Sequence, residues 1–107
     1  MSERYSIRQI SKEDGSLYEG GVLNGVPHFF GQLSDSQGNV YQGEWREGDI
    51  FGMNLIKYAD SRQYLGIFKN GVKEGLGSVL HKGKLYLGEY FEGKRTGYGE
   101  VYQLDPK

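Results

Sequence analysis

The 107-residue chain contains no cysteine, which excludes a disulfide framework, a thiolate metal site and a cysteine nucleophile. It has no apolar run of the ~20 residues that a membrane-spanning helix needs. The polar start MSERYSIRQI also lacks the apolar core of a signal peptide. Formal net charge is only −1, so electrostatics do not favour nucleic acid as a partner. These absences predict one small cytoplasmic domain.

Glycine and tyrosine are the residues in excess. The chain has 18 glycines and 9 tyrosines, whereas glycine is typically ~7% of a sequence. Glycine-rich chains are often disordered, but an aromatic content of 14% argues against disorder here. A chain rich in both turn formers and rings is typical of an all-β fold with many short strands.

A unit of about 23 residues recurs four times, and each copy begins at a tyrosine. The four tyrosines are Tyr18, Tyr41, Tyr64 and Tyr86. Glycines follow two and seven residues later, and these are Gly20, Gly43, Gly66, Gly88, Gly25, Gly48, Gly71 and Gly93. Fixed periods of this length indicate a repeat architecture. The predicted repeats are 18–40, 41–63, 64–85 and 86–104, after an N-terminal capping strand within residues 1–13.

Each repeat is predicted to be a β-hairpin. Asn-Gly or Glu-Gly precedes the second half of every copy, and Asn-Gly is a strong signal for a two-residue hairpin turn. Alternation along a strand places each tyrosine, the glycine after it and the apolar residue four positions on upon one face. We name this surface the ring face and the opposite surface the back face. Rings are expected to lie over glycines of adjacent strands, which explains both excesses together.

The unit Y-x-G-x-(W/F/Y)-x-x-G-x-x-x-G-x-G resembles the MORN (membrane occupation and recognition nexus) repeat. That resemblance implies an all-β fold, a single-layer antiparallel sheet of successive β-hairpins with an open groove. It also implies a non-enzymatic interaction or scaffold module in a cytoskeletal, ciliary or membrane-associated assembly. The first copy departs from the unit at Val22 and Phe29, and the second copy departs at Asn54.

The ionisable side chains that could take part in catalysis or metal binding do not form a recognisable catalytic or metal site. Glu44, Arg46 and Glu47 surround Trp45, but alternation places Glu44 and Arg46 opposite the Trp45 ring, on a solvated face. The two histidines lie on different repeats at different offsets and lack the spacing of metal ligands or a triad. We therefore predict no enzyme activity, no catalytic residue, no metal and no cofactor.

Aromatic residues are the predicted anchors for a partner, because rings are common interface anchors. The ring face supplies six of them, namely Tyr41, Trp45, Tyr64, Phe68, Tyr86 and Tyr90. Tyr98 and Tyr102 lie on the opposite face of the last strand. Residues 97–103 are predicted to be an open edge, whereas residues 4–11 are expected to cap the N-terminal end.

The expected partner is another protein or a second copy of this chain, without nucleic acid. Scattered lysines and arginines allow weak contact with anionic lipid, and a phospholipid-binding surface is one alternative. A regulatory segment of a larger enzyme is another alternative.

Overall fold

Residues 4–104 are described by the computed structural model, and they form one open sheet of nine antiparallel strands in chain order. The strands are β1 (Tyr5–Ser11), β2 (Leu17–Leu23), β3 (Val26–Ser34), β4 (Val40–Arg46), β5 (Asp49–Lys57), β6 (Gln63–Lys69), β7 (Val72–His81), β8 (Lys84–Phe91) and β9 (Lys94–Gln103). Every strand pairs with its chain neighbour. The predicted all-β architecture of successive hairpins is confirmed.

Tight turns join the two strands of each repeat. At Asn24-Gly25 the φ angles are 50° and 88°, and at Asn70-Gly71 they are 50° and 79°. Both residues are left-handed at Glu47-Gly48 and Glu92-Gly93 as well. Two successive left-handed residues define the type I′ turn, whose twist matches that of the flanking strands. The second turn residue is glycine each time because it adopts positive φ without steric cost.

A β-bulge near the start of the second strand explains the glycine eleven residues after each tyrosine. Pairing shifts register there in all four repeats, and the residue at this position has positive φ. Gly52, Gly75 and Gly97 occupy it with φ of 62°, 84° and 102°. Phe29 occupies it in the first repeat with φ of 67°. A left-handed residue with a side chain costs about 1–2 kcal/mol, so Phe29 carries backbone strain.

The core lies on the ring face. Burial alternates along β6, where Tyr64, Gly66 and Phe68 are buried and the residues between them are exposed. Edge-to-face contacts connect the rings of adjacent repeats, with centroids 5.2 Å apart for Tyr18–Trp45 and 5.3 Å apart for Tyr64–Tyr90. Rings fully buried in a one-layer sheet require that the sheet curl around them. The smallest overall extent of 24 Å agrees, since a flat layer is only ~10 Å thick.

Both ends of the sheet are edges within the described residues. β1 covers β2, but β1 has no outer neighbour itself, and nearly all its residues are exposed. β9 likewise has no outer neighbour among residues 4–104, and all ten of its residues are exposed. β1 lies beside the first repeat, where an additional N-terminal strand was expected. The contrast between a capped N-terminal end and an open C-terminal end stays a prediction.

Candidate binding groove

Four of the predicted partner anchors are core residues. Trp45, Tyr64, Phe68 and Tyr90 are at most 6% exposed. Alternation placed them on the ring face, but that face curls inward, so the rings pack against one another. These four rings are therefore mainly core side chains, and they expose only small parts of their surface to a partner.

The remaining predicted anchors are accessible to different degrees. Tyr41 and Tyr86 are half-buried on the ring face. Tyr98 and Tyr102 are 77% and 45% exposed, and they lie on the back face of β9. The Tyr102 hydroxyl donates a hydrogen bond to the Glu100 carboxylate, which raises the pKa of Tyr102. The predicted anchors therefore do not form one surface.

Tyrosine rings lie over pairs of glycines in three repeats. A Cβ atom built on Gly66 would lie 2.7 Å from Tyr64 Cζ, and one on Gly77 would lie 2.7 Å from Tyr64 Cε1. Tyr86 covers Gly88 and Gly99 in the same way, and Tyr18 covers Gly31. Real side-chain atoms do not approach this closely, so the ring position depends on glycine beneath it.

Hydroxyl groups of these tyrosines differ in their partners. Tyr18 Oη donates to the Gly21 carbonyl oxygen at 2.7 Å, and Tyr86 Oη donates to the Tyr98 carbonyl oxygen at 3.3 Å. Tyr64 Oη is buried without a hydrogen-bond partner in the described part of the chain. Burial raises the pKa of Tyr64 to about 12, because the charged phenolate would lose its solvation.

The second repeat replaces its glycine pair with a glycine and an asparagine. Asn54 lies opposite Gly43 and is 1% exposed. Its Nδ2 atom donates to the carbonyl oxygens of Glu44 at 3.1 Å and Phe51 at 3.0 Å. The amide occupies the space above Gly43, since a Cβ there would lie 2.8 Å from Asn54 Cγ. The Tyr41 ring does not lie over Gly43, and its hydroxyl donates a hydrogen bond to Asp35 Oδ2 at 3.3 Å.

A groove of about 530 Å³ runs along the ring face of the C-terminal half. It is lined by Tyr58, Arg62, Lys73, Val79, His81, Lys84, Tyr86, Tyr90, Gly93, Arg95 and Val101. Only Tyr86 and Tyr90 among the predicted anchors line this groove. Lys73 and Arg95 share one position of the last two repeats, and Arg62 and Lys84 each stand two residues before a repeat tyrosine. None of these cations is present in all four copies, so the motif common to the copies does not include them.

Cations lie on aromatic rings inside the groove. Lys73 Nζ is 4.4 Å from the Tyr64 ring centre and 5.5 Å from that of Tyr90. Arg95 Cζ is 3.9 Å from the Tyr86 ring centre. Such contacts are attractive because the ring face carries partial negative charge. They hold the two charges at fixed places without neutralising them.

The back face carries an exposed apolar patch in the C-terminal half. A shallow depression of about 320 Å³ is lined by Met53, Leu65, Leu76, Leu87 and neighbouring glycines and serine. Leu76 is 69% exposed and Leu87 is 40% exposed. This patch is a second candidate surface for a partner.

The charged residues around Trp45 stabilise backbone rather than form a reactive site. Glu44 Oε2 accepts a hydrogen bond from the Met53 amide at 2.8 Å, beside the bulge of β5. His28 Nδ1 accepts one from the Glu47 amide at 3.3 Å. Residues 4–104 contain no group of three potential metal-binding side chains. Within the same residues, no helix has the length and apolarity needed to span a bilayer.

The nine successive strands define a β-hairpin repeat protein. In a comparison with known families, the family described as MORN repeat matches residues 41–52, 64–79 and 86–102. The chain therefore carries MORN repeats over these three stretches. The first hairpin lies outside the matched stretches, and it is the copy with Phe29 at the bulge.

Curated relatives are much longer proteins. Alsin of Mus musculus is 35% identical over 66 residues, which are 56% of this chain and 4% of Alsin. Alsin of Homo sapiens is 34% identical over the same number of residues. The human ALS2 C-terminal-like protein is 33% identical over 75 residues, or 65% of this chain and 8% of that protein. The match therefore spans only a small part of each relative.

Proposed function

We propose that this chain is a non-enzymatic interaction module that binds an extended segment of another protein in the groove. MORN repeats are in general non-catalytic modules for protein or membrane interaction, and the proposal starts from that general role. The proposal adds which surface of this chain binds the partner. The single observation that carries it is the groove of about 530 Å³, whose walls combine accessible rings with Lys73 and Arg95, two cations that form no ion pair within residues 4–104.

The groove has the composition of a recognition site. Tyr58 and Tyr86 are half-buried, so each offers part of its ring to a ligand while the rest is packed. Val101 is 64% exposed and lies opposite Tyr86 in the pairing of β8 with β9. Concave sites with apolar walls and a few polar groups favour ligands, because burial supplies affinity and polar contacts supply specificity.

Two substitutions on one strand separate the groove from the back face. Val101→Glu places bulk and charge on the groove floor, whereas Tyr98→Glu changes the back face of β9. Both residues are exposed, so neither change removes core packing. Tagged protein is used to capture partners from cell extract, and bound proteins are quantified by mass spectrometry. We expect Val101→Glu to lose the partner and Tyr98→Glu to retain it; the reverse result would assign binding to the back face.

An anionic membrane surface is a second candidate, favoured by the ring-held cations Lys73 and Arg95. We expect only weak binding to anionic vesicles, lost at physiological salt, where screening shortens to ~8 Å. Tight flotation that resists salt would rank the membrane function first.

The wider setting of the chain stays a prediction. A cytoskeletal or ciliary assembly follows only from the family resemblance, and so does a regulatory segment of a larger enzyme. The small share of Alsin that the match covers is compatible with a segment of a longer protein.

A further inference from the structure

Two cations in the groove are held in place but not neutralised. Within residues 4–104, the only ion pair joins Arg62 to Asp60, so no carboxylate oxygen lies within 4.0 Å of Lys73 or Arg95. Aromatic rings contact one side of each charge. An ammonium has three N–H donors and a guanidinium has five, so each cation keeps donors for a ligand.

The cationic residues are spread along the groove rather than gathered at one point. Lys84 and Tyr90 are six residues apart on β8, and Arg95 pairs with Tyr90. Six residues of strand span ~20 Å. Arg62 adjoins β6, three strand spacings from β9, which adds ~14 Å of width. A single phosphate contacts only part of such an area, whereas an extended segment of about six residues matches its length.

Apolar residues occupy the middle of the groove. Tyr86 pairs directly with Val79 on β7 and with Val101 on β9, so the three side chains form one row across the floor. Lys84 lies at the start of β8, two residues before Tyr86. Lys73 and Arg95 lie near the starts of β7 and β9, and because these strands run antiparallel to β8, both cations are at the other end of the groove from Lys84. An apolar ligand side chain therefore fits between positions that favour negative charge.

We propose that the groove selects an acidic, extended peptide segment with an apolar residue between its carboxylates. The proposal rests on the proposed function and names the chemistry of the partner. Charge-assisted hydrogen bonds from Lys73 and Arg95 to the carboxylates supply the selectivity, since they are stronger than bonds between neutral groups.

A peptide fits this groove better than a bilayer surface does. The cations lie on rings within a concavity, and a narrow extended chain can enter it. A planar bilayer surface contacts the outer parts of a concave site, whereas the apolar row of Val79, Tyr86 and Val101 lies on the groove floor.

Fluorescence anisotropy with a defined probe tests the proposal on the full chain. The probe is a labelled eight-residue peptide with glutamate at its second, sixth and eighth positions, leucine at its fourth and threonine elsewhere. Its control carries glutamine in place of every glutamate. We expect the glutamate peptide to bind at least about tenfold more tightly than the glutamine peptide.

Single substitutions locate the binding. Lys73→Gln and Arg95→Gln are each expected to weaken the glutamate peptide about tenfold. Lys94→Gln is the matched control, because it removes the same charge from the neighbouring residue of β9 but on the back face, and it should stay within about twofold. Thermal melts check that each variant folds, and Arg95 supplies an independent test if the Lys73 variant does not fold.

Three results would overturn the proposal. They are equal affinity for the two peptides, equal weakening by Lys94→Gln, or binding of phosphatidylserine vesicles that depends on Lys73 and Arg95 while the peptide does not bind. Failure here is separable from failure of the proposed function. If Val101→Glu abolishes partner capture and the two peptides still bind equally, the groove is the interface and its partner is not acidic.

Discussion

The second and third repeats share a tyrosine at their start but pack it differently. In the third repeat, Tyr64 lies over Gly66 and Gly77 and is fully buried. In the second repeat, Asn54 stands where the third has Gly77, and its amide fills the space above Gly43. Tyr41 is displaced and hydrogen bonds to Asp35 instead. One residue in a glycine pair thus decides whether the tyrosine belongs to the core.

A side chain beneath Tyr64 should have the largest effect. Gly66→Val would place its Cβ 2.7 Å from Tyr64 Cζ and 2.9 Å from Gly77 Cα, so ring or backbone must move. We expect a loss of about 3 kcal/mol in the free energy of unfolding. Ser78→Val is the control, since it adds a β-branched residue on the back face and should change stability by about 0.5 kcal/mol or less. Equal effects in chemical denaturation would refute the packing of ring over glycine.

Removing the Asn54 side chain should destabilise the second repeat without moving Tyr41 into the buried position that Tyr64 has in the third repeat. Asn54→Gly deletes two buried hydrogen bonds and leaves a space above Gly43. We expect a loss of about 2 kcal/mol, because Tyr41 stays bound to Asp35. Met53→Gly carries a similar backbone cost on the back face and is the matched control. Unchanged stability together with a newly buried Tyr41 would mean that the ring moves in freely.

The hydroxyl groups of two core tyrosines sharpen the comparison among repeats. Tyr18→Phe removes the bond to the Gly21 carbonyl and should cost about 1 kcal/mol. Tyr64→Phe removes a buried hydroxyl that has no partner in the described residues, so stability at neutral pH should change by less than about 0.5 kcal/mol. Urea titrations of both variants give the comparison. A larger loss for Tyr64→Phe than for Tyr18→Phe would contradict the assigned partners.

Alkaline pH should remove the contribution of Tyr64 to the stability of the fold. Burial raises the pKa of Tyr64 from the ordinary 10.0 to about 12, so the folded state favours the neutral phenol. That contribution to stability is complete below pH 10.0 and is lost as pH rises towards about 12. Wild-type protein should therefore lose stability faster than Tyr64→Phe across this interval. Parallel pH curves for the two proteins would show that Tyr64 is not the group responsible.

The sheet could be predicted from the sequence because its determinants are local and repeated. Asn-Gly turns and strict alternation fix hairpins and faces. Alternation also placed Trp45 and Phe68 on the ring face, but it could not show that this face closes. Curvature arises from twist, bulges and contacts between rings of different repeats, which lie far apart in sequence.

The groove could not be predicted for a related reason. Lys73 and Arg95 occupy the same position of the third and fourth repeats, but the first two repeats have Pro27 and Ile50 there. The motif shared by all four copies therefore does not include a cation at this position. Their common feature is contact with Tyr64 and Tyr86, which becomes visible only when the strands are paired. Phe29 departs from the repeat unit in sequence, but its backbone strain follows from a bulge that requires positive φ.

The most direct test of the groove as the binding surface is an NMR titration of isotope-labelled protein with the glutamate peptide. We predict that the largest amide shifts fall on Lys73, Tyr86 and Arg95, with small shifts on the back face. Shifts concentrated at Leu76 and Leu87, or along the outer edge of β9 from Glu100 to Tyr102, would contradict the account. The interface would then be the apolar back face or the open edge strand.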